Sequence, residues 1–101
     1  MDHNAELGCM SSEIGIKIRA IREAEELGRA EFCDLTGIPK GTITQTETGR
    51  REPKSGLVET VCKAFPQYTL WLMTGEVQPD AGQTSPEIEV ARRNLGKEAS
   101  A

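Results

Sequence analysis

The chain has 101 residues, 37 % of them apolar, and a formal net charge of −4. It is therefore one domain with a small core rather than a disordered segment. An acidic pI near 5.0 argues weakly against a nucleic-acid partner, but binding depends on local charge, and between Ile38 and Lys54 four basic residues (Lys40, Arg50, Arg51, Lys54) stand against Glu47 and Glu52, a local excess of +2.

Residues 1–11 show no periodicity and read as a flexible N-terminal arm, with Met10-Ser-Ser-Glu as an alternative start. The first helix is expected from about Ser12, a candidate N-cap, to Glu26, with Glu13 in the first turn where the helix dipole favours an acid. Ile14, Ile18, Ile21 and Leu27 give it an apolar stripe at helical spacing, and Gly28 breaks it. A second helix, Arg29 to about Thr36, turns Phe32 and Cys33 inward, with Leu35 or Thr36 packing its end. Gly37 follows, placed for a positive φ. A third helix spans roughly Pro39 to Thr48, with Pro39 in its first turn and Gly49 just past its end.

The fourth helix, about Gly56 to Phe65, carries Leu57, Val58, Val61, Cys62 and Phe65 on one stripe. A fifth, Thr69 to Thr74, is closed by Gly75 and puts Leu70, Trp71, Leu72 and Met73 inside. Trp71 suits either the core or a dimer contact. From Val77 the composition reads as a linker. Ser85-Pro86-Glu87 then reads as the N-cap, N1 and N2 of a last helix, stopped by Gly96. Its narrow stripe of Ile88, Ala91 and Leu95 suits packing on the domain or on a partner, or fraying in solution. No stretch alternates with the period of a strand. The expectation is an all-α, compact five-helix bundle over residues 12–76, with an extra C-terminal helix inside 77–101.

The third helix carries the functional signal. Projected at 3.6 residues per turn, Ile43, Thr46 and Glu47 fall on one side. Lys40, Gly41, Thr44, Gln45 and Thr48 fall on the other. That second face is short-chained, hydrogen-bonding and uncharged except for Lys40. A merely solvated face carries more Glu and Lys, and threonine is a poor helix former. Two short helices joined through Thr36-Gly37-Ile38 make a helix-turn-helix, whose second helix fits the major groove of DNA. There Gln and Lys can read base edges and Thr can offer a hydroxyl or a methyl. Arg50 and Arg51 follow where the chain should pass a phosphate backbone.

The stretch Gly28 to Arg51, "GRAEFCDLTGIPKGTITQTETGRR", resembles without a gap the helix-turn-helix of the phage-repressor family of Cro and XRE type. Gly28-Arg29, Phe32-Cys33, Gly37-Ile38-Pro39, Ile43, Glu47, Gly49, Arg50-Arg51 and Pro53 fall on its pattern. "TLWLMTG", Thr69 to Gly75, is similar to its closing Trp-Leu-Leu-x-Gly helix. The resemblance covers about Ile14 to Gly75 and implies a lambda-repressor-like bundle. It also implies that Lys40, Gly41, Thr44 and Gln45 read bases, that Arg29, Thr42, Thr48, Arg50 and Arg51 hold phosphates, and that Arg22 and Glu47 form a structural ion pair. Arg29 replaces the family's usual Gln, which makes that phosphate contact more salt-sensitive. Pro39 replaces a Ser or Thr cap, and Gly41 offers no side chain to a base.

An enzyme is not expected. His3 is the only histidine and lies in the arm, and no nucleophile–base pair, phosphate loop or HExxH motif is present. Neither a cofactor nor a metal is expected. Cys9, Cys33 and Cys62 have no CxxC spacing, Cys33 and Cys62 sit on apolar stripes, and Cys9 with His3 gives only two ligands of the four a tetrahedral site needs. Without a secretory or long apolar run, no membrane partner and a cytoplasmic location are expected.

The reading is a dimeric transcriptional regulator, a repressor on a pseudo-palindromic duplex-DNA operator, with a protein partner open to the C-terminal tail. A restriction–modification controller or an antitoxin would share the pattern. The alternative from another class is a protein-binding adaptor or antirepressor built on the same bundle, which would not depend on Lys40 and Gln45 for binding DNA.

Overall fold

The computed structural model describes the backbone of residues 2–100 and the side chains of residues 13–96. The order of elements is α1 (Asp2–Ala24), α2 (Arg29–Thr36), α3 (Lys40–Glu47), α4 (Ser55–Ala64), α5 (Thr69–Thr74) and α6 (Pro86–Ser100), with 3₁₀ turns at Pro66–Tyr68 and Pro79–Ala81. Among the described residues there is no strand, only one isolated antiparallel bridge between Gln78 and Gln83. The protein is all-α. The side chains of His3 and Cys9 lie outside the described residues.

The core forms where the stripes converge: Ile18 and Ile21 from α1, Phe32 from α2, Ile38 from the turn, Ile43 from α3, Val58 and Val61 from α4, then Phe65, Tyr68 and Leu72. Burying each large side chain contributes roughly 2 kcal/mol. Phe32 stacks on Phe65 with ring centroids 5.7 Å apart and planes 6° apart, joining α2 to the end of α4. Cys33 and Cys62 are free, half-buried thiols packed against this cluster.

Several boundaries and packing expectations differ from the sequence reading. The backbone is already helical at Asp2, so Ser12 is inside α1 and does not cap it. Gly28 does not end α1. Glu26 does, at φ 60°: Leu27 N–H reaches the Arg22 carbonyl and Glu26 N–H the Glu23 carbonyl, each at 3.0 Å, the two bonds of a Schellman turn. Gly28 instead begins α2 in an extended conformation. Leu35 is exposed, and Ile38 fills the space at the end of α2, because the left-handed Gly37 (φ 78°) folds the turn back under the helix. On α5 only Leu72 is fully buried. Met73 is exposed, and Trp71 is half-buried beneath Lys17, whose Nζ lies 5.4 Å from the ring centroid.

The stretch after Val77 is tied down rather than extended as a linker. Gln78 and Gln83 exchange backbone hydrogen bonds at 2.9 and 3.0 Å, and Thr84 N–H reaches the Gln67 carbonyl at 2.8 Å. The Gln83 side chain accepts from Leu70 N–H at 2.9 Å, capping α5 from 13 residues away, and donates to the Pro66 carbonyl at 3.0 Å. Ser85 caps α6 through the Ile88 N–H at 3.2 Å. The helix lies along the end of α1, where Arg93 donates to the Ala24 carbonyl. It runs past Gly96 to Ser100. Of its expected apolar stripe Ile88 is half-buried, while Ala91 and Leu95 are exposed.

Candidate nucleic-acid interface

α3 is held on two sides. α2 meets it across the turn Gly37-Ile38-Pro39, and α1 crosses its back. The turn is built by residue type. Gly37 N–H closes on the Cys33 carbonyl at 2.7 Å. The Thr36 hydroxyl donates to the Phe32 carbonyl and accepts from the Ile38 N–H. Pro39 stands at the N-cap with φ −59° and ψ 143° rather than inside the first turn, and no side chain caps α3. At the far end Gly49 takes φ 78°, and Gly49 N–H and Arg50 N–H close a second Schellman turn on the Thr46 and Gln45 carbonyls.

This frame divides α3 as its 3.6-residue period does. Ile43, Thr46 and Glu47 are buried at 0 %, 1 % and 5 % exposure. Lys40, Gly41, Gln45 and Thr48 are exposed, while Thr42 and Thr44 are half-buried. Arg50 is exposed just past the helix. Arg51 is also exposed but folds back: its Nη1 donates to Thr42 Oγ1 at 3.3 Å and to Gln45 Oε1 at 3.5 Å. The Thr48 hydroxyl donates to the Thr44 carbonyl at 2.8 Å, so its oxygen remains available as an acceptor.

Beneath this surface lies an ion-pair cluster. Arg22 donates from Nε to Glu47 Oε2 at 2.8 Å, from Nη2 to Oε1 at 3.0 Å and from Nη1 to the Leu27 carbonyl at 2.9 Å. The hydrogen bond to Glu47 raises the Arg22 pKa above its ordinary value, burial opposing it. Arg29 joins the same carboxylate, Nε to Oε1, at 3.1 Å.

Two further residues shape the site without an obvious sign in the sequence. Gly15, buried in α1, lies against the α3 backbone: a Cβ there would sit 2.2 Å from the Thr46 carbonyl oxygen. Glu31 takes the Gly28 N–H at 2.9 Å, the reciprocal half of a capping box whose other half a glycine cannot supply. The signals were a glycine inside an apolar helical stripe and a glutamate three residues after Gly28, which the sequence reading takes only as a helix breaker.

Two short helices at this geometry, a buried anchor behind the second and a polar face in front, define a helix-turn-helix protein. The family model described as "Helix-turn-helix domain" matches residues 13–65, and the chain belongs to this family of DNA-binding regulators, which are not enzymes. Among curated proteins it is similar to "Repressor protein C" of Escherichia phage P2, with 38 % identity over 81 residues, covering 78 % of this chain and 82 % of that relative. Among the described residues no helix is long and apolar enough to cross a membrane.

Proposed function

We propose that the protein is a cytoplasmic transcriptional repressor that binds duplex DNA as a homodimer on a pseudo-palindromic operator. The observation that carries this is α3. Its outer face holds Lys40, Gly41, Thr44, Gln45 and Thr48 in contact-ready, short-chained form, and its inner face is locked to α1 by Gly15 and Arg22. Lys40, Thr44 and Gln45 take the base edges, each good contact worth about 1–3 kcal/mol of discrimination. Gly41 lets the helix approach the groove closely. Arg29, Thr42, Thr48, Arg50 and Arg51 take phosphates, which orient the helix without carrying sequence information. Occupancy of a promoter then excludes polymerase. The similarity to a phage protein named a repressor supports this output.

The test is selection from a random duplex library at near-physiological salt, wild type beside Lys40→Ala/Gln45→Ala. Wild type should enrich an inverted repeat with half-sites about 34 Å apart, and the double variant should enrich nothing. Enrichment of single or tandem half-sites would remove the two-fold operator. No enrichment by wild type would remove DNA recognition and leave a protein-binding adaptor. With about six phosphate contacts, log K should fall against log salt with a slope near about −5, roughly a thousandfold between ~50 and ~200 mM.

A further inference from the structure

Glu47 is the last residue of α3, its side chain has no solvent exposure, and it accepts from two arginines at once. Arg22 uses all three guanidinium nitrogens inside the protein, two on the Glu47 carboxylate and one on the Leu27 carbonyl. Arg29 uses one. Its Nε reaches Glu47 Oε1, its side chain is 32 % exposed, and no other group among the described residues pairs with its Nη1 or Nη2. Two guanidinium groups and one carboxylate leave a net charge of +1. That excess sits on the member facing water.

At the start of α2 the Gly28 N–H is already held by the Glu31 carboxylate, which also places a negative charge at the positive end of the helix. The cationic feature at this corner is the Arg29 fork, and the fork is aimed from behind.

We propose that Glu47 is a positioning residue for Arg29: by fixing Nε, the buried carboxylate presents Nη1 and Nη2 as a bidentate clamp for one DNA phosphate. The sequence Arg22–Glu47–Arg29–phosphate then alternates in charge from the core to the duplex. The planar guanidinium suits this because one edge can hold the carboxylate while the other holds two phosphate oxygens. An ammonium group has no such pair of edges, and an uncharged amide has no excess charge to offer. Since Arg29 opens α2 and Glu47 closes α3, the clamp ties a backbone contact directly to the end of the reading helix. The phosphate therefore sets where α3 sits along the groove, as well as adding affinity. This inference rests on the DNA-binding reading above and deepens it.

The experiment measures binding across a salt series, on the duplex that wild type selects and on random duplex, for wild type, Arg29→Lys and Arg29→Gln. Phosphate-ethylation interference is mapped for each. Thermal unfolding checks folding, and both variants keep Arg22 to neutralise the buried Glu47. Arg29→Gln should lower the magnitude of the salt slope by about 0.9 per half-site and abolish interference at one phosphate per half-site. Arg29→Lys should keep the slope and its binding to random duplex, yet bind the selected duplex about tenfold more weakly, because it keeps the charge without the anchored fork. Wild-type affinity in Arg29→Lys overturns the positioning by Glu47. An unchanged slope and interference pattern in Arg29→Gln overturns the phosphate contact. Either result leaves the DNA-binding reading standing provided wild type prefers the selected duplex, and failure of that preference sinks the reading itself.

Discussion

Gly15→Ala separates two physical effects of opposite sign. By helix propensity alone, alanine inside α1 should stabilise by up to about 1 kcal/mol. The structure predicts the reverse. The new Cβ would lie 2.2 Å from the Thr46 carbonyl oxygen and 3.2 Å from its carbon. An ordinary carbon–oxygen contact is about 3.3 Å or more, so α1 and α3 must separate by about 1 Å. Both sides of this contact are helix backbone, and no flexible side-chain end can give way. The overpacking cost should lie near the upper end of the usual range, about 3 kcal/mol, for a net loss of about 2 kcal/mol. In a domain of this size that lowers Tm by roughly 10 °C. The displaced helix is also the one proposed to face DNA. Losing one good base contact costs about 1–3 kcal/mol, so binding to the selected duplex should fall at least about tenfold while random duplex is bound as before. Calorimetry or circular dichroism gives the first number and competition binding the second. An alanine variant as stable as wild type, or more so, with undiminished discrimination would refute the close crossing of α1 and α3.

Three other perturbations test separate parts of the structure. Thr46 Oγ1 is buried without a partner among the described residues, so Thr46→Val, which keeps the shape and removes the stranded hydroxyl, should stabilise by about 1 kcal/mol. It should raise the urea midpoint without altering the m value; an unchanged or lower midpoint would mean the hydroxyl is satisfied. Gln83→Ala removes the cap on Leu70 N–H and the bond to the Pro66 carbonyl. It should cost about 1 kcal/mol and lower hydrogen-exchange protection of the Leu70 amide, whereas unaltered protection would detach the tail from α5. Tyr68, the only tyrosine, has its pKa pushed above 10.0 by burial first and by its hydrogen bond to Glu25 second. The folded state holds the phenol neutral while the unfolded chain can release its proton. Its stabilising contribution is therefore complete below about pH 10 and falls as the pH rises from there toward the folded-state pKa. Tyrosinate absorbance should appear only with unfolding, and in Tyr68→Phe this part of the alkaline loss should vanish.

How much was legible in the sequence follows from the range of each interaction. Ile18, Ile21, Phe32, Ile43, Val58, Val61 and Leu72 were readable as core because helical spacing records which face is apolar, and each of them is buried. The two faces of α3 were readable for the same reason. Met73 was misplaced, and of Leu35 and Thr36 it is Thr36 that is half-buried at the end of α2, because a hydrophobic residue on a short helix has no period to be tested against; neighbours distant in sequence decide. Ile38 covers what Leu35 would have covered. The tail read as a linker because its composition is that of turns, and Gln83, which secures it, reaches backbone groups on two other elements. Gly15 is a helix defect in a one-dimensional reading. It becomes a contact only once α1 lies across α3.

The acidic balance is the feature most open to misreading. Net charge counts Glu47 like any other acid, yet its side chain is wholly buried between Arg22 and Arg29, and the three together carry a net charge of +1. Several other acids are engaged where the tail meets the body of the protein: Glu25 accepts from the Tyr68 hydroxyl, Glu26 pairs with Arg93, and Glu89 pairs with Arg92 and accepts from Thr84. Lys40, Arg50 and Lys54, by contrast, are exposed within or shortly after the helix proposed to read, and both Nη groups of Arg29 are without a partner among the described residues. Charge within about one Debye length of a phosphate, roughly 8 Å at physiological salt, is what the duplex meets. A chain of net charge −4 can therefore hold a polyanion, and its dependence on salt should report the few cations at the interface rather than the sum over the sequence.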